Sequence, residues 1–334
     1  MDPKFQEILL HAEFEDIIGQ QDAKRQVKSA FLMDRHVVIV GPPGIGKTTL
    51  AKNVAKLIPE KVVNECEFNC SPDKPLCPQC REMKEKGKKI KTRTVKGQEL
   101  FVRVQGSPDL TAEDLIGDID PIKALKFGSL SPEAFSPGKM FKANQGVLFF
   151  DEINRCSEKL QNTLLQALEE QKVTIGSYNV DFDVDFIFIG TMNPEDTSTE
   201  PLSDVFLDRF DLVYMHYPET LELELKIIDA HGKKLVQFPE KLLADVVQFI
   251  RELRRDPNIE KKPSVRASLG VYERSQSNAL LKQRNAVTIQ DVQDVLFSVL
   301  NHRIRLKPSI KYLTTPENYL AEEFRKFCDR GDYP

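Results

Sequence analysis

The chain has 334 residues, 40% hydrophobic and 29% charged, the proportions of a folded globular protein with room for one large or two ordinary domains. A formal net charge of −4 removes any global electrostatic case for binding nucleic acid or a membrane surface. No apolar run approaches the roughly 20 residues of a membrane helix, and Met1-Asp2-Pro3-Lys4-Phe5 lacks the basic-then-apolar start of a secretory signal, so a cytoplasmic location is expected.

The first 35 residues read as helical, with a turn at Ile17-Ile18-Gly19-Gln20. The apolar run Val37-Val38-Ile39-Val40 then leads into Gly41-Pro42-Pro43-Gly44-Ile45-Gly46-Lys47-Thr48, followed by a helix-forming stretch from Thr49 to Leu57. A strand, a G-x-x-x-x-G-K-[ST] loop and a helix in that order make a phosphate-binding loop. Its glycines let the backbone N–H groups curl inward, and the following helix N-terminus adds positive potential. Lys47 can reach the β- and γ-phosphates of a nucleoside triphosphate, and the Thr48 hydroxyl can hold Mg²⁺.

Residues 61–104 change character: four clustered cysteines, a dense basic stretch, then Phe101-Val102-Arg103-Val104 with strand-like alternation. Val147-Leu148-Phe149-Phe150 is a continuous apolar run of the kind a buried parallel strand shows. A helix follows, with Ser157 as N-cap and Leu160, Leu164, Leu165 and Leu168 on one face. Residues 173–182 read as a β-hairpin turning near Gly176-Ser177, and Phe186-Ile187-Phe188-Ile189 as another buried strand. Strands alternating with helices imply an α/β domain with a parallel sheet. After Tyr217-Pro218 the strand signal stops, and helices are expected over 221–230, 239–254, 265–281 and 288–301, the last with a cap at Thr288. The expected domains are 1–217, α/β, and 218–334, a small all-α domain.

Asp151-Glu152 closes the strand at 147–150, at the edge where open α/β sheets bind ligands. An Asp there can coordinate Mg²⁺ and an adjacent Glu can polarise an attacking water; a helix-capping acidic pair is the plainer alternative. Asn193, in Thr191-Met192-Asn193-Pro194, could position that water or simply make an Asn-Pro turn. Arg209, in Leu207-Asp208-Arg209-Phe210, is a surface charge or an arginine finger for a neighbouring subunit. Arg266 opens a helix of the second domain, either solvated or reaching a γ-phosphate.

With these residues together, the chain resembles the AAA+ ATPases of the MoxR and magnesium-chelatase I-subunit group over most of residues 14–306. Ile17-Ile18-Gly19-Gln20 is similar to the family's adenine-side motif, which would place Ile18 and Gly19 at the base. Phe150 to Arg155, Gln161 to Leu168 and Glu169 to Thr174 resemble its Walker B strand, helix and hairpin. Thr191 to Pro194, Pro201-Leu202, Leu207 to Phe210 and Tyr217-Pro218 follow the family order. Pro263 to Leu269 resembles its sensor-2 helix, and His302-Arg303-Ile304-Arg305-Leu306 its C-terminal lid motif.

The resemblance implies an AAA+ P-loop NTPase: a parallel sheet flanked by helices, followed by an α-helical lid. Gly41 through Thr49, with Lys47 and Thr48, would be Walker A, and Asp151 and Glu152 Walker B. Asn193 would be sensor 1, Arg209 the trans finger and Arg266 sensor 2. The hairpin at 173–182 and the region from Pro108 to Lys142 resemble elements that project from the ring toward partners. The implied activity is Mg²⁺-dependent ATP hydrolysis by a ring, usually a hexamer, that remodels a partner in a chaperone-like way; a von Willebrand A-domain protein is the partner the family suggests. The alternatives are the motor subunit of a metal chelatase, an MCM-like nucleic-acid ATPase, and a nucleotide-gated scaffold. With roughly 30 residues after His302, the protease domain of the related Lon enzymes is not expected in this chain.

Cys66, Cys70, Cys77 and Cys80 depart from the usual MoxR pattern. Four thiolates suffice for a closed tetrahedral Zn²⁺ site, and Cys77-Pro78-Gln79-Cys80 has zinc-knuckle spacing; unligated thiols and an iron–sulfur cluster are the alternatives. The basic run at 81–96 reads as a solvated hairpin or as a nucleic-acid contact beside the knuckle. Cys156 and Cys328 read as structural thiols.

Overall fold

The computed structural model describes residues 3–128, 131–175, 180–194, 202–331 and 333. The turn expected near Gly176-Ser177, Pro201 and the segment after Pro194 lie outside the described residues. By residue contacts the chain divides into two units. The first comprises residues 1–17, 21–41 and 46–215, and the second residues 18–20, 42–45 and 216–334.

The first unit opens with helices α1 (Pro3–His11) and α2 (Gln21–Leu32). It then runs through β1 (Val37–Val40), α3 (Lys47–Leu57), β2 (Lys61–Asn64), α4 (Pro78–Glu85), β3 (Thr92–Val95) and β4 (Phe101–Gln105). Next come α5 (Ala112–Ile116), β5 (Gly117–Ile119), α6 (Pro121–Phe127), β6 (Phe135–Pro137), α7 (Lys139–Lys142) and β7 (Val147–Asp151). The unit ends with α8 (Glu158–Glu170), β8 (Lys172–Ile175), β9 (Val180–Asp183), β10 (Ile187–Met192), α9 (Asp204–Leu207) and β11 (Asp211–Tyr214).

Its centre is a five-stranded sheet in the order β11-β1-β10-β7-β4, every pair parallel. All four residues of β1 are buried, as a strand covered on both faces must be, which is why Val37 to Val40 shows no alternation. The strand order brings β1, β7 and β10, far apart in sequence, side by side. Their carboxyl ends, and that of β4, share one edge.

Among the described residues of this unit, three antiparallel ribbons stand outside that sheet: β2 with β3, β5 with β6, and β8 with β9. The second lies inside the region from Pro108 to Lys142. α8 buries Leu160, Leu164 and Leu165 as the apolar stripe requires. Ser157 stands at its N-cap position without its hydroxyl making the capping bond. β10 differs from the strand read over 186–189: it starts at Ile187 and continues through Thr191 to Met192, because Ile39 and Val40 of β1 continue to pair with it.

His36, just before β1, is half-buried and accepts the Phe188 N–H through Nδ1 at 3.2 Å. Burial pushes its pKa down to about 4, so it folds neutral. Unfolded, it titrates near 6.5. Its contribution to stability is therefore complete above about 6.5 and is lost as pH falls toward 4, up to about 3 kcal/mol. Chemical denaturation of His36→Asn against wild type across that window is expected to show a shallower acid slope in the variant; equal slopes would exclude His36 as the source.

The second unit contains α10 (Leu221–His231), α11 (Glu240–Arg255), β12 (Ile259–Lys261), α12 (Val265–Leu281), α13 (Ile289–Leu300), β13 (Arg305–Leu306), α14 (Pro308–Lys311) and α15 (Pro316–Arg330). It is helical as expected, with one addition: β12 and β13 pair into a short antiparallel ribbon. Both strands are too short to show alternation. Thr288 and Asp291 form a capping box at α13. α15, not anticipated, carries a Thr315 cap and buries Leu320, Phe324 and Phe327.

The charged centre of this unit is buried. Glu224 is fully enclosed, and its carboxylate accepts from Arg254 Nη1 at 2.6 Å, from Arg254 Nη2, from the Ser268 hydroxyl at 2.5 Å and from Arg251 Nη1 at 3.2 Å. Burial alone would raise its pKa; the Arg254, Ser268 and Arg251 contacts outweigh burial and hold it below the usual range. Arg251 also donates to the carbonyls of Pro218, Glu219 and Thr220 at 2.9, 2.7 and 3.1 Å. Among the described residues no helix is long and apolar enough to cross a membrane.

Candidate functional site

Gly46 is the N-cap of α3, with φ of 99°, a left-handed conformation that only glycine adopts without strain. With no side-chain cap on α3, its first-turn N–H groups suit an anion. Lys47, Thr48 and Thr49 form that first turn, all partly exposed, and the Lys47 ammonium donates to the Gly41 carbonyl.

The acidic pair closes β7. Asp151 Oδ1 accepts from the Thr191 hydroxyl at 2.7 Å, and its Oδ2 pairs with Arg103 Nη2 at 2.6 Å. Glu152 has φ of 56° and ψ of 52°, a left-handed backbone that costs a non-glycine residue about 1 kcal/mol or more. Its N–H is held by the Thr191 hydroxyl oxygen at 2.9 Å. Oε2 of Glu152 accepts from Gln105 Nε2 at 3.0 Å and lies 3.3 Å from Arg155 Nη1. One threonine on β10 therefore holds both the Asp151 carboxylate and the Glu152 backbone.

Arg103 and Gln105 lie two apart on β4, hence on one face, and Gln105 is in register with Asp151. Gly106 permits the approach: its N–H donates to the Asp151 carbonyl at 2.7 Å, and a Cβ there would lie 2.0 Å from the Glu152 carbonyl oxygen. Asn193, partly buried, directly follows β10.

Arg209 follows α9, whose N-terminus is capped by Ser203. Its guanidinium pairs with Glu169 of α8 and donates to the Val205 carbonyl at 2.5 Å. In the second unit, Arg266 is exposed in the first turn of α12. Arg303 is its neighbour: burial first, then the Arg266 charge, lowers the Arg303 pKa. Gly44, which by its contacts belongs to this unit, would carry a Cβ 3.0 Å from both Ser264 Oγ and Arg266 Cγ. Gly19 has φ of +72°, and the neighbouring Gln20 side chain exchanges hydrogen bonds with the His216 backbone at 2.6 and 3.2 Å. Ile18 is partly exposed beside them.

The cysteine cluster forms in the excursion between β2 and β3. The Sγ atoms of Cys66, Cys70, Cys77 and Cys80 all lie within 4.8 Å of one another. Cys77 caps α4 by accepting from Cys80 N–H. Hydrogen bonds from Cys70 and Cys77 favour the Cys66 thiolate and pull its pKa to about 2. Donating to Cys66 pushes Cys70 up to about 12 and Cys77 higher still, while burial raises Cys80. Four of the eight basic groups at 81–96 pair within the unit: Arg81 with Asp183, Lys86 with Glu82, Lys91 with Glu65, and Arg93 with Asn69. Cys156 is buried and pushed up to about 11 by that burial.

The residues not singled out from sequence are Arg103, Gln105 and Arg303, together with Thr191 as the orienting hydroxyl. A signal was present for the first two: polar side chains at alternate positions of an otherwise apolar strand.

Residues 84–212 match the family described as ATPase family associated with various cellular activities (AAA). Residues 13–72 match magnesium chelatase, subunit ChlI, and residues 251–319 the AAA lid domain. A magnesium-chelatase subunit ChlI homolog of Methanocaldococcus jannaschii is 29% identical, over 88% of this chain and 86% of its own length. The uncharacterized protein YeaC of Bacillus subtilis is 26% identical, over 89% and 85%. Among solved structures, a variant of the Thermotoga maritima RuvB protein has a TM-score of 0.50 at 18% identity, over 90% of this chain and 74% of its own, a likeness of fold.

Proposed function

Because the chain belongs to the AAA+ ATPases of the MoxR and magnesium-chelatase I-subunit group, we propose that it is an ATP-hydrolysing ring motor, usually hexameric in this group, that remodels or activates a partner protein. The observation that carries this reading is the Thr191-oriented pair of Asp151 and Glu152 at the same sheet edge as the Lys47 loop. A chain that merely bound nucleotide would have no need of a glutamate held in a strained backbone beside the metal-binding aspartate.

In the proposed mechanism the Gly41–Thr49 loop and the α3 N-terminus bind the phosphates, and Ile18 and Gly19 lie at the base. Lys47 neutralises β- and γ-phosphate charge. Thr48 and Asp151 offer the hard oxygen donors that suit Mg²⁺, which when bound supplies further charge neutralisation on the phosphates. Glu152 accepts the proton of the attacking water as general base, and Asn193 positions that water. Arg266, and Arg209 of a neighbouring subunit, stabilise the charge that develops on the γ-phosphoryl group. The four cysteines complete the cofactor set as a structural zinc site. The partner is a separate protein, a von Willebrand A-domain protein being the candidate, engaged by the β8–β9 hairpin and the region from Pro108 to Lys142.

ATPase activity per protomer, measured as protein concentration rises, tests the reading. It is expected to climb as the shared sites assemble; a rate per protomer independent of concentration would exclude catalysis between subunits. A second reading, the motor subunit of a metal chelatase, is favoured by the names of the relatives; metal insertion into a tetrapyrrole with candidate partner subunits separates the two. The internal pairing of Arg81, Lys86, Lys91 and Arg93 counts against a nucleic-acid role for those four groups of the basic run.

A further inference from the structure

We propose that metal at Cys66, Cys70, Cys77 and Cys80 fastens the β8–β9 hairpin to the body of the first unit, so that the order of this hairpin follows zinc occupancy. The inference rests on the zinc reading of the cluster and extends it from a ligand set to a mechanical role.

The cluster has the properties of a site for one ion. Four sulfurs on a tetrahedral zinc at about 2.3 Å lie about 3.8 Å apart, and mutual separations within 4.8 Å come close to that spacing without any disulfide. A four-iron cluster takes one thiolate per iron and spreads its sulfurs further. Backbone N–H groups already point at the sulfurs: Leu76 and Cys77 at Cys70 Sγ, 3.3 and 3.2 Å, Cys70 at Cys66 Sγ, 3.5 Å, and Cys80 at Cys77 Sγ, 3.4 Å. Such donors stabilise negative sulfur and orient it for a metal. The Asn64 carboxamide is fully buried, and among the described residues neither of its polar atoms has a hydrogen-bond partner.

The excursion's own apolar centre is small. Its buried centre is Cys70, Leu76, Cys77 and Cys80, with Phe68 and Ile90 packed against it: three sulfurs and one leucine. A centre of that size cannot offset the chain entropy of the loop, at about 1 kcal/mol or more per ordered residue. A bound metal can, because its binding free energy becomes folding free energy.

Both halves of the ligand set carry a contact to the same strand. Phe68, between Cys66 and Cys70, stacks on Phe182 with ring centroids 6.1 Å apart and planes 8° from parallel. Arg81, immediately after Cys80, pairs with Asp183 and donates to the Pro75 carbonyl at 3.1 Å. Phe182 and Asp183 are consecutive on β9, so they face opposite sides of the strand. The module therefore holds the return strand of the hairpin from both faces. Phe68 also packs on Phe141 at 5.1 Å, and the Asn69 carboxamide donates to the Lys142 carbonyl at 2.9 Å; these contacts seat the module on the body of the unit.

The test uses the full chain, purified reduced. Metal analysis is expected to find about one zinc per protomer. Hydrogen exchange is then followed in peptides covering β8 and β9, with zinc bound and after chelation. Chelation is expected to speed exchange there about tenfold or more, while β1 and β10 keep their protection. Arg81→Ala, which leaves all four ligands in place, is expected to retain zinc and still speed exchange in β9. Zinc bound with hairpin exchange unchanged in both experiments overturns the coupling and leaves the zinc site standing. Reduced protein that takes up no zinc overturns the zinc reading and the coupling with it.

Discussion

Arg209→Ala is expected to lower ATP turnover about a thousandfold, the scale of removing an arginine finger, with little change in nucleotide affinity. In its own chain the Arg209 guanidinium rests on Glu169 and the Val205 carbonyl. Its partner there is an ion pair that is half exposed on the Glu169 side, worth about 1 kcal/mol or less, so transfer to a neighbour's phosphate costs little. Glu152→Gln should be equally inactive for a different reason, the loss of the general base. Mixing the two variants then decides the geometry. An interface with Glu152 from one subunit and Arg209 from the other is intact, so the mixture should recover turnover that neither variant has alone. A mixture as inactive as its components would place finger and base in the same chain.

Glu224→Ala should cost about 3–5 kcal/mol of stability, the scale of breaking a buried ion pair. The loss comes less from the missing attraction than from leaving Arg251 and Arg254, both almost fully enclosed, without a counter-charge. Since the contacts hold the Glu224 pKa below its ordinary value, the stabilisation is complete above the unfolded carboxylate pKa of about 4.3 and is lost as pH falls through the lower folded value. Denaturant titration of wild type and Glu224→Ala, read by exchange in α10 and α11, measures it. A change under about 1 kcal/mol would mean that the arginines are solvated in the native state.

The residues that were legible in the sequence are those whose meaning is local. The loop from Gly41 to Thr48 between β1 and α3, the Asp151-Glu152 step at the end of β7 and the Thr288 cap each take their form within a few positions. What stayed hidden depends on strand register. Arg103 and Gln105 reach Asp151 and Glu152 from 47 or 48 positions away, and only the pairing of β4 with β7 brings them together. The Glu224 cluster gathers residues from three helices whose individual charges look like ordinary surface positions. The ribbon of β12 and β13 is too short to leave a pattern. α15 is a different matter: Thr315 before Pro316, with Leu320, Phe324 and Phe327 at helical spacing, is a start signal and an apolar stripe, and both were readable. Ser157 shows the converse, a residue at the expected cap position whose side chain does not cap.

The cysteine excursion leaves from Asn64 and returns at Thr92, and these two residues are paired across the β2–β3 ladder. Its two ends are therefore neighbours in space, and the five-stranded sheet has no strand within it. A segment attached in this way is a cassette: a short turn in place of residues 65–91 would close the ladder without disturbing its register. Whatever the excursion holds can then be gained or shed in a single insertion or deletion, with the five-stranded sheet and its strand ends untouched.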